Sequence, residues 1–138
     1  MKYYLLASLS VWERFRRAFI VQDRWKLYLE GLRNTLIIAG IAALIGIALG
    51  VLCATVNYVH KKNGKLRIPS AICRLYITLV RGTPVVLQLM ILYFVVFVSW
   101  KNGIMIGAIT FGINSGAYVA EIARAGFESV DDGQMEAG

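Results

Sequence analysis

Glu121 follows a stretch without charge, since no Asp, Glu, Lys or Arg occurs from Asn102 to Ala120. At about 100° per helical residue, Thr110, Asn114, Tyr118 and Glu121 fall within about 80° of one another. A hydroxyl, a carboxamide, a phenol and a carboxylate on one face can hold a polar solute or one another. They do not form a nucleophile with its base, and no glycine-rich phosphate loop occurs, so we read the chain as a non-enzyme. An ionisable group beside an apolar span is costly to insert and faces a cavity or a partner. The competing reading pairs Glu121 with Arg124 at i+3. A second polar group surrounds Pro84, which has no N–H for the Val80 carbonyl and disfavours helix at Thr83. Arg74, Arg81 and Gln88 recur at every seventh position, which puts them on one face if the break does not rotate the two halves. Thr83, Gln88, Asn114, Tyr118 and Glu121 are thus the candidates for a polar path.

Three apolar stretches must position these residues. Apolar types make up 58% of the chain, above the roughly 45–50% of a soluble domain. Charge is absent from Asn34 to His60, from Gly82 to Trp100 and from Asn102 to Ala120, each near the roughly 20 residues that cross a bilayer. We expect an all-α polytopic transmembrane protein with spans at about 32–59, 68–100 and 103–125. As one straight helix the second would measure about 50 Å, far beyond a hydrocarbon core of about 30 Å, so it must break near 81–84. Residues 1–30 form an N-terminal segment in which Val11, Phe15, Phe19 and Ile20 oppose Glu13, Arg16, Arg17 and Arg24, predicting an interfacial amphipathic helix over 11–30. Ala42, Gly46, Gly50 and Ala54 form one small-residue stripe and Ala108, Gly112, Gly116 and Ala120 another. Such stripes let helix backbones approach closely in lipid, so Gly46, Gly50, Gly112 and Gly116 are read as packing positions.

The net charge of +7 does not indicate nucleic acid, because the basic residues flank apolar spans and the Trp and Tyr residues cluster near span ends, an interfacial pattern. Cys53 and Cys73 lack a second ligand type at metal spacing and are read as small buried hydrophobes. No metal or cofactor is expected in the chain. Arg74 is read as snorkelling to headgroups.

Beyond the third span, Gly126 permits a turn and Ser129-Val130-Asp131-Asp132 has the form of a capping box. The helix so begun has barely one turn before Gly138, too short to stand alone in water. The chain therefore reads as the N-terminal part of a longer membrane protein.

With these residues in place, 31–138 resembles the permease subunits of type I ABC importers, in the polar amino acid family of histidine and glutamine permeases. The resemblance rests on Glu136-Ala137-Gly138, similar to that family's EAA loop with Gly for the second Ala, on Gly31-Leu32-Arg33-Asn34-Thr35-Leu36, and on Arg81-Gly82-Thr83-Pro84 followed by Gln88. Asp131 stands where the family often has Pro. The resemblance implies a type I importer transmembrane fold with three of five spans present, the start of a cytoplasmic coupling helix at 129–138, and ATPase docking through Gly133, Gln134, Met135, Glu136, Ala137 and Gly138. It implies a second permease subunit, a cytoplasmic ATPase dimer carrying ATP and magnesium, an extracytoplasmic amino-acid-binding protein and a bacterial inner membrane.

Charge asymmetry gives a topology. The short loop 60–67 carries four Lys or Arg and is expected in the cytoplasm, which puts the loop at 100–103 outside and 130–138 inside. Residues 1–33, with seven Lys or Arg against three acids, oppose that assignment, and the loop, fixed by a span on each side, decides it. The rival reading is a small oligomeric channel or scaffold, which needs no ATPase.

Overall fold

A computed structural model describes residues 10–129, and the described residues are helical with no strand. They comprise α1 (Val11–Phe19), a 3-10 turn (Val21–Asp23), α2 (Trp25–Asn63), α3 (Arg67–Arg81), α4 (Val85–Ile91) with a π-helical turn (Leu92–Val96), and α5 (Gly103–Glu128). The described residues divide into two compact units, on either side of the boundary between Leu36 and Ile37.

In the first unit Ser10 and Glu13 form a reciprocal capping box that starts α1, satisfying N–H groups that a helix start leaves free. Trp12, Phe15 and Phe19 lie at helical spacing and their rings pack in turn, the first pair stacked and the second tilted, with centroids 5.9 and 4.8 Å apart. The amphipathic helix expected over 11–30 is interrupted: Gln22 and Asp23 take left-handed backbone angles, φ 61° and 55°. Residues from Trp25 onward belong instead to α2. The apolar periodicity of 11–20 does not continue past that turn, and Phe19 packs on Tyr28, centroids 4.8 Å apart, across it.

In the second unit α2 and α5 meet along their small residues. A methyl built on Gly46 would stand 2.7 Å from Ser115 Oγ, and one on Gly112 would stand 2.7 Å from Ile45 Cβ. A methyl on Gly50 would lie 2.5 Å from Val119 Cβ, and one on Gly116 would lie 2.7 Å from Tyr76 Oη. Carbon atoms pack at about 3.5–4.0 Å, so these four positions exclude any side chain at this helix separation. Beside the seam Cys53, Cys73, Ile77 and Ala120 form a buried cluster with Val56 and Tyr76 against it. Both cysteines are free thiols.

Outside this seam the helices expose their large apolar side chains, including Leu44, Ile47, Leu52, Ile72, Leu75 and Ile122. A protein in water would bury such a surface, whereas lipid leaves no cost for exposing it. Among the described residues two helices are long and apolar enough to cross a bilayer, and the α3–α4 pair adds a third if counted as one bent span. That pair turns by 104° at residues 82–84. The face proposed for Arg74, Arg81 and Gln88 is therefore lost, because the break rotates the halves. At the other end α5 runs through Gly126 to Glu128 instead of turning there, and Ser129 closes it, its hydroxyl donating to Gly126 O at 2.8 Å. Ser129 thus serves the end of α5.

Candidate functional site

The bend after α3 leaves helix-end carbonyls in need of donors, and side chains supply them. The Thr83 hydroxyl donates to Leu79 O at 2.9 Å, and Gly82 N–H donates to Thr78 O at 3.0 Å. Pro84 offers no hydrogen to Val80 O. Gln88 takes its place, its Nε2 donating to Val80 O at 2.8 Å, to Thr83 Oγ1 at 2.8 Å and to Thr83 O at 3.1 Å. The Gln88 amide oxygen accepts from Asn114 Nδ2 of α5 at 3.3 Å. A continuous line of hydrogen bonds thus runs from α5 through α4 to the end of α3.

One turn beyond Asn114, Tyr118 presents its ring to the Arg81 guanidinium, 5.4 Å from the centroid. Arg81 Nη1 lies 3.1 Å from Glu121 Oε2, and Arg124 Nε lies 3.2 Å from Glu121 Oε1. Glu121 therefore pairs with Arg124, as the i+3 spacing allows, and also with an arginine two helices earlier in the chain. Arg124 continues to Glu128 at 2.8 Å, and Glu128 to Lys61 of α2 at 2.8 Å. The side chains of Arg81, Glu121 and Arg124 are 41%, 31% and 44% exposed, so the chain of charges borders open space instead of being sealed in the core.

The structure brings all five candidates into two adjoining groups on the α3–α4–α5 side: Thr83, Gln88 and Asn114 at the bend, and Glu121 beside Arg81. Tyr118 joins the second group through Arg81. Thr110 does not extend this line, being fully buried with its hydroxyl bonded to Ile106 O of its own helix at 2.7 Å. The hydrogen bonds of Gln88 and Thr83 also give these residues a structural use in holding the bend. Gly46, Gly50, Gly112 and Gly116 lie in the α2–α5 seam. Residues 133–138, including Met135 and Glu136, lie outside the described residues.

Two contributors escape a reading of spacing alone. Tyr76 donates to Ile113 O at 2.6 Å, so α3 is tied to the backbone of α5 where Gly116 leaves room for the phenol. Arg81 becomes the second partner of Glu121 only because α3 lies against α5, and no sequence period relates the two positions. Among the described residues no group of three His, Cys, Asp or Glu could hold a metal ion.

Comparison with known proteins gives this arrangement a context. Residues 29–138 match the family described as binding-protein-dependent transport system inner membrane component. A Rickettsia prowazekii (strain Madrid E) protein, provisionally named a glutamine transport system permease, is 41% identical over 112 residues, covering 79% of this chain and 49% of its own length. An arginine transport system permease protein of Bacillus subtilis (strain 168) is 40% identical over 114 residues, with the same two coverages. The chain thus spans about half the length of the curated relatives it matches. A crystal structure of an amino acid ABC transporter with histidines superposes with a TM-score of 0.73 at 30% identity, covering 94% of this chain and 56% of that one.

Proposed function

The chain belongs to the family of binding-protein-dependent transport system inner membrane components, and on that premise we propose that it is a permease subunit moving polar amino acids into the cytoplasm. The observation that carries the reading is the polar line of α5, where Asn114, Tyr118 and Glu121 meet the bent α3–α4 pair and the Arg81 guanidinium. Irregular backbone within a membrane is tolerated where protein or water satisfies it, and ionisable groups there mark solute paths. A solute passing this line would meet a carboxamide, a phenol and a carboxylate whose charge is shared by two guanidiniums.

Energy in this reading comes from separate subunits. Two ATPases with bound ATP and magnesium would dock in the cytoplasm through residues 133–138, with Met135 as an apolar knob and Glu136 beside it. A second permease subunit, identical or homologous, would complete the pathway. An extracytoplasmic binding protein would deliver the amino acid, and the assembly would sit in a bacterial inner membrane. The relatives named for glutamine and for arginine support an amino acid as cargo.

Coexpression with its ATPase tests the reading. A complex should copurify whose ATP hydrolysis rises when an amino-acid-loaded binding protein is added, and Glu136→Lys should weaken ATPase association. A chain that forms oligomers passing ions or solutes with no ATPase would instead be a channel.

A further inference from the structure

Where α2 ends and α3 begins, a cleft of about 540 Å³ opens, lined among others by Asn57 and Lys61 of α2, Ser70 and Arg74 of α3, and the ion pair of Glu121 with Arg124 on α5. We propose that this cleft binds the phosphate of an anionic phospholipid, with Arg74 and Lys61 as its cationic ligands.

Arg74 is held for such a role. Its Nη2 donates to Ser70 Oγ at 3.2 Å, and that hydroxyl, 1% exposed, donates to Asn57 Oδ1 at 2.8 Å. The guanidinium has five N–H donors, and among the described residues no carboxylate lies within ion-pair distance of it. The neighbouring charges do not compensate it. Glu121 and Glu128 are shared among Arg81, Arg124 and Lys61, so with Arg74 four cations face two carboxylates. A planar fork beside a lysine suits a phosphate oxygen pair.

The depth and surroundings favour a lipid over a free ion. Arg74 reaches back along α3 toward Ser70, one turn from the helix start, and Asn57 lies one turn before Lys61 near the end of α2. That is the level at which a helix end meets headgroups, and basic pockets between spans bind anionic headgroups there. Ile68, Ile72 and Leu75 are more than half exposed on the face of α3 turned away from Ser70, Arg74 and Ile77, an apolar face that a surrounding bilayer would cover, so the cleft opens at the end of a helix bathed in lipid.

Native mass spectrometry of the detergent-purified chain tests this, with dioleoyl phosphatidylglycerol and dioleoyl phosphatidylcholine added in equal amount. One phosphatidylglycerol should be retained in preference to phosphatidylcholine. Arg74→Gln and Lys61→Gln should each lower its retention about fivefold, the effect of one cation near a lipid surface, while Arg74→Lys keeps most of it. Should Arg74→Gln fail to fold, Lys61→Gln on its exposed side chain carries the same test. Equal retention of the two lipids, or retention unchanged in Lys61→Gln and in a folded Arg74→Gln, would overturn the proposal. Displacement of the lipid by millimolar inorganic phosphate would overturn it too, by making the cleft a free-anion site.

Discussion

The side-chain amide of Gln88 stands where a proline has removed a backbone donor, so Gln88→Leu leaves Val80 O without that hydrogen bond and Asn114 without its acceptor. Both hydrogen bonds are part-buried, so the loss of each costs about 0.5–1.5 kcal/mol, and a lower thermal midpoint in detergent should report it. Gln88→Glu should lower it too, since a carboxylate has no hydrogen to give. Glu121→Gln asks a different question. Its partners are partly exposed, and pairs of that kind contribute little to stability, so the thermal midpoint should move little while substrate affinity or selectivity in the assembled transporter changes. An unchanged affinity with a loss of stability matched by Arg124→Met would make Glu121 a structural partner only. Glu121 and Asn114 were legible in the sequence because polarity in an apolar span stands out. The use of Gln88 was not, because the direction of its amide depends on a 104° turn that proline implies without fixing its size.

At the scale of elements, the α2–α5 seam was legible from small residues every fourth position, since that spacing keeps them on one face of a helix. Gly116→Ala should loosen the seam, because its methyl would meet Tyr76 Oη at 2.7 Å and Leu49 Cβ at 3.0 Å. Overpacking of this kind costs about 1–3 kcal/mol. Gly126→Ala serves as the control, as a methyl there meets nothing within 4 Å and alanine favours helix by up to about 1 kcal/mol. Thermal melts of the two variants should move in opposite directions. Element ends were less legible. The start of α2 at Trp25 follows a left-handed turn at Gln22 and Asp23, and neither residue is a glycine that would announce it. The end of α5 lies beyond Gly126 because Glu128 is held by Arg124 and Lys61, contacts that arise only once the helices have packed.

For the whole molecule, the basic loop after α2 is expected in the cytoplasm, which assigns a side to each helix end. Lys62→Cys should resist a membrane-impermeant thiol reagent in intact cells while Lys101→Cys reacts, in variants whose Cys53 and Cys73 are replaced by Ala. The reverse pattern would invert the topology and remove residues 130–138 from reach of a cytoplasmic ATPase. The most direct measurement is uptake of radiolabelled polar amino acids, glutamine and arginine among them, by proteoliposomes holding the transporter assembled around this chain, with ATPase and ATP inside and binding protein outside. Accumulation that requires ATP and the binding protein, and that changes in affinity or selectivity with Glu121→Gln, is the expected result. Flux that proceeds equally without ATP, or that responds to neither ATPase nor binding protein, would contradict the assignment of this chain as an importer subunit.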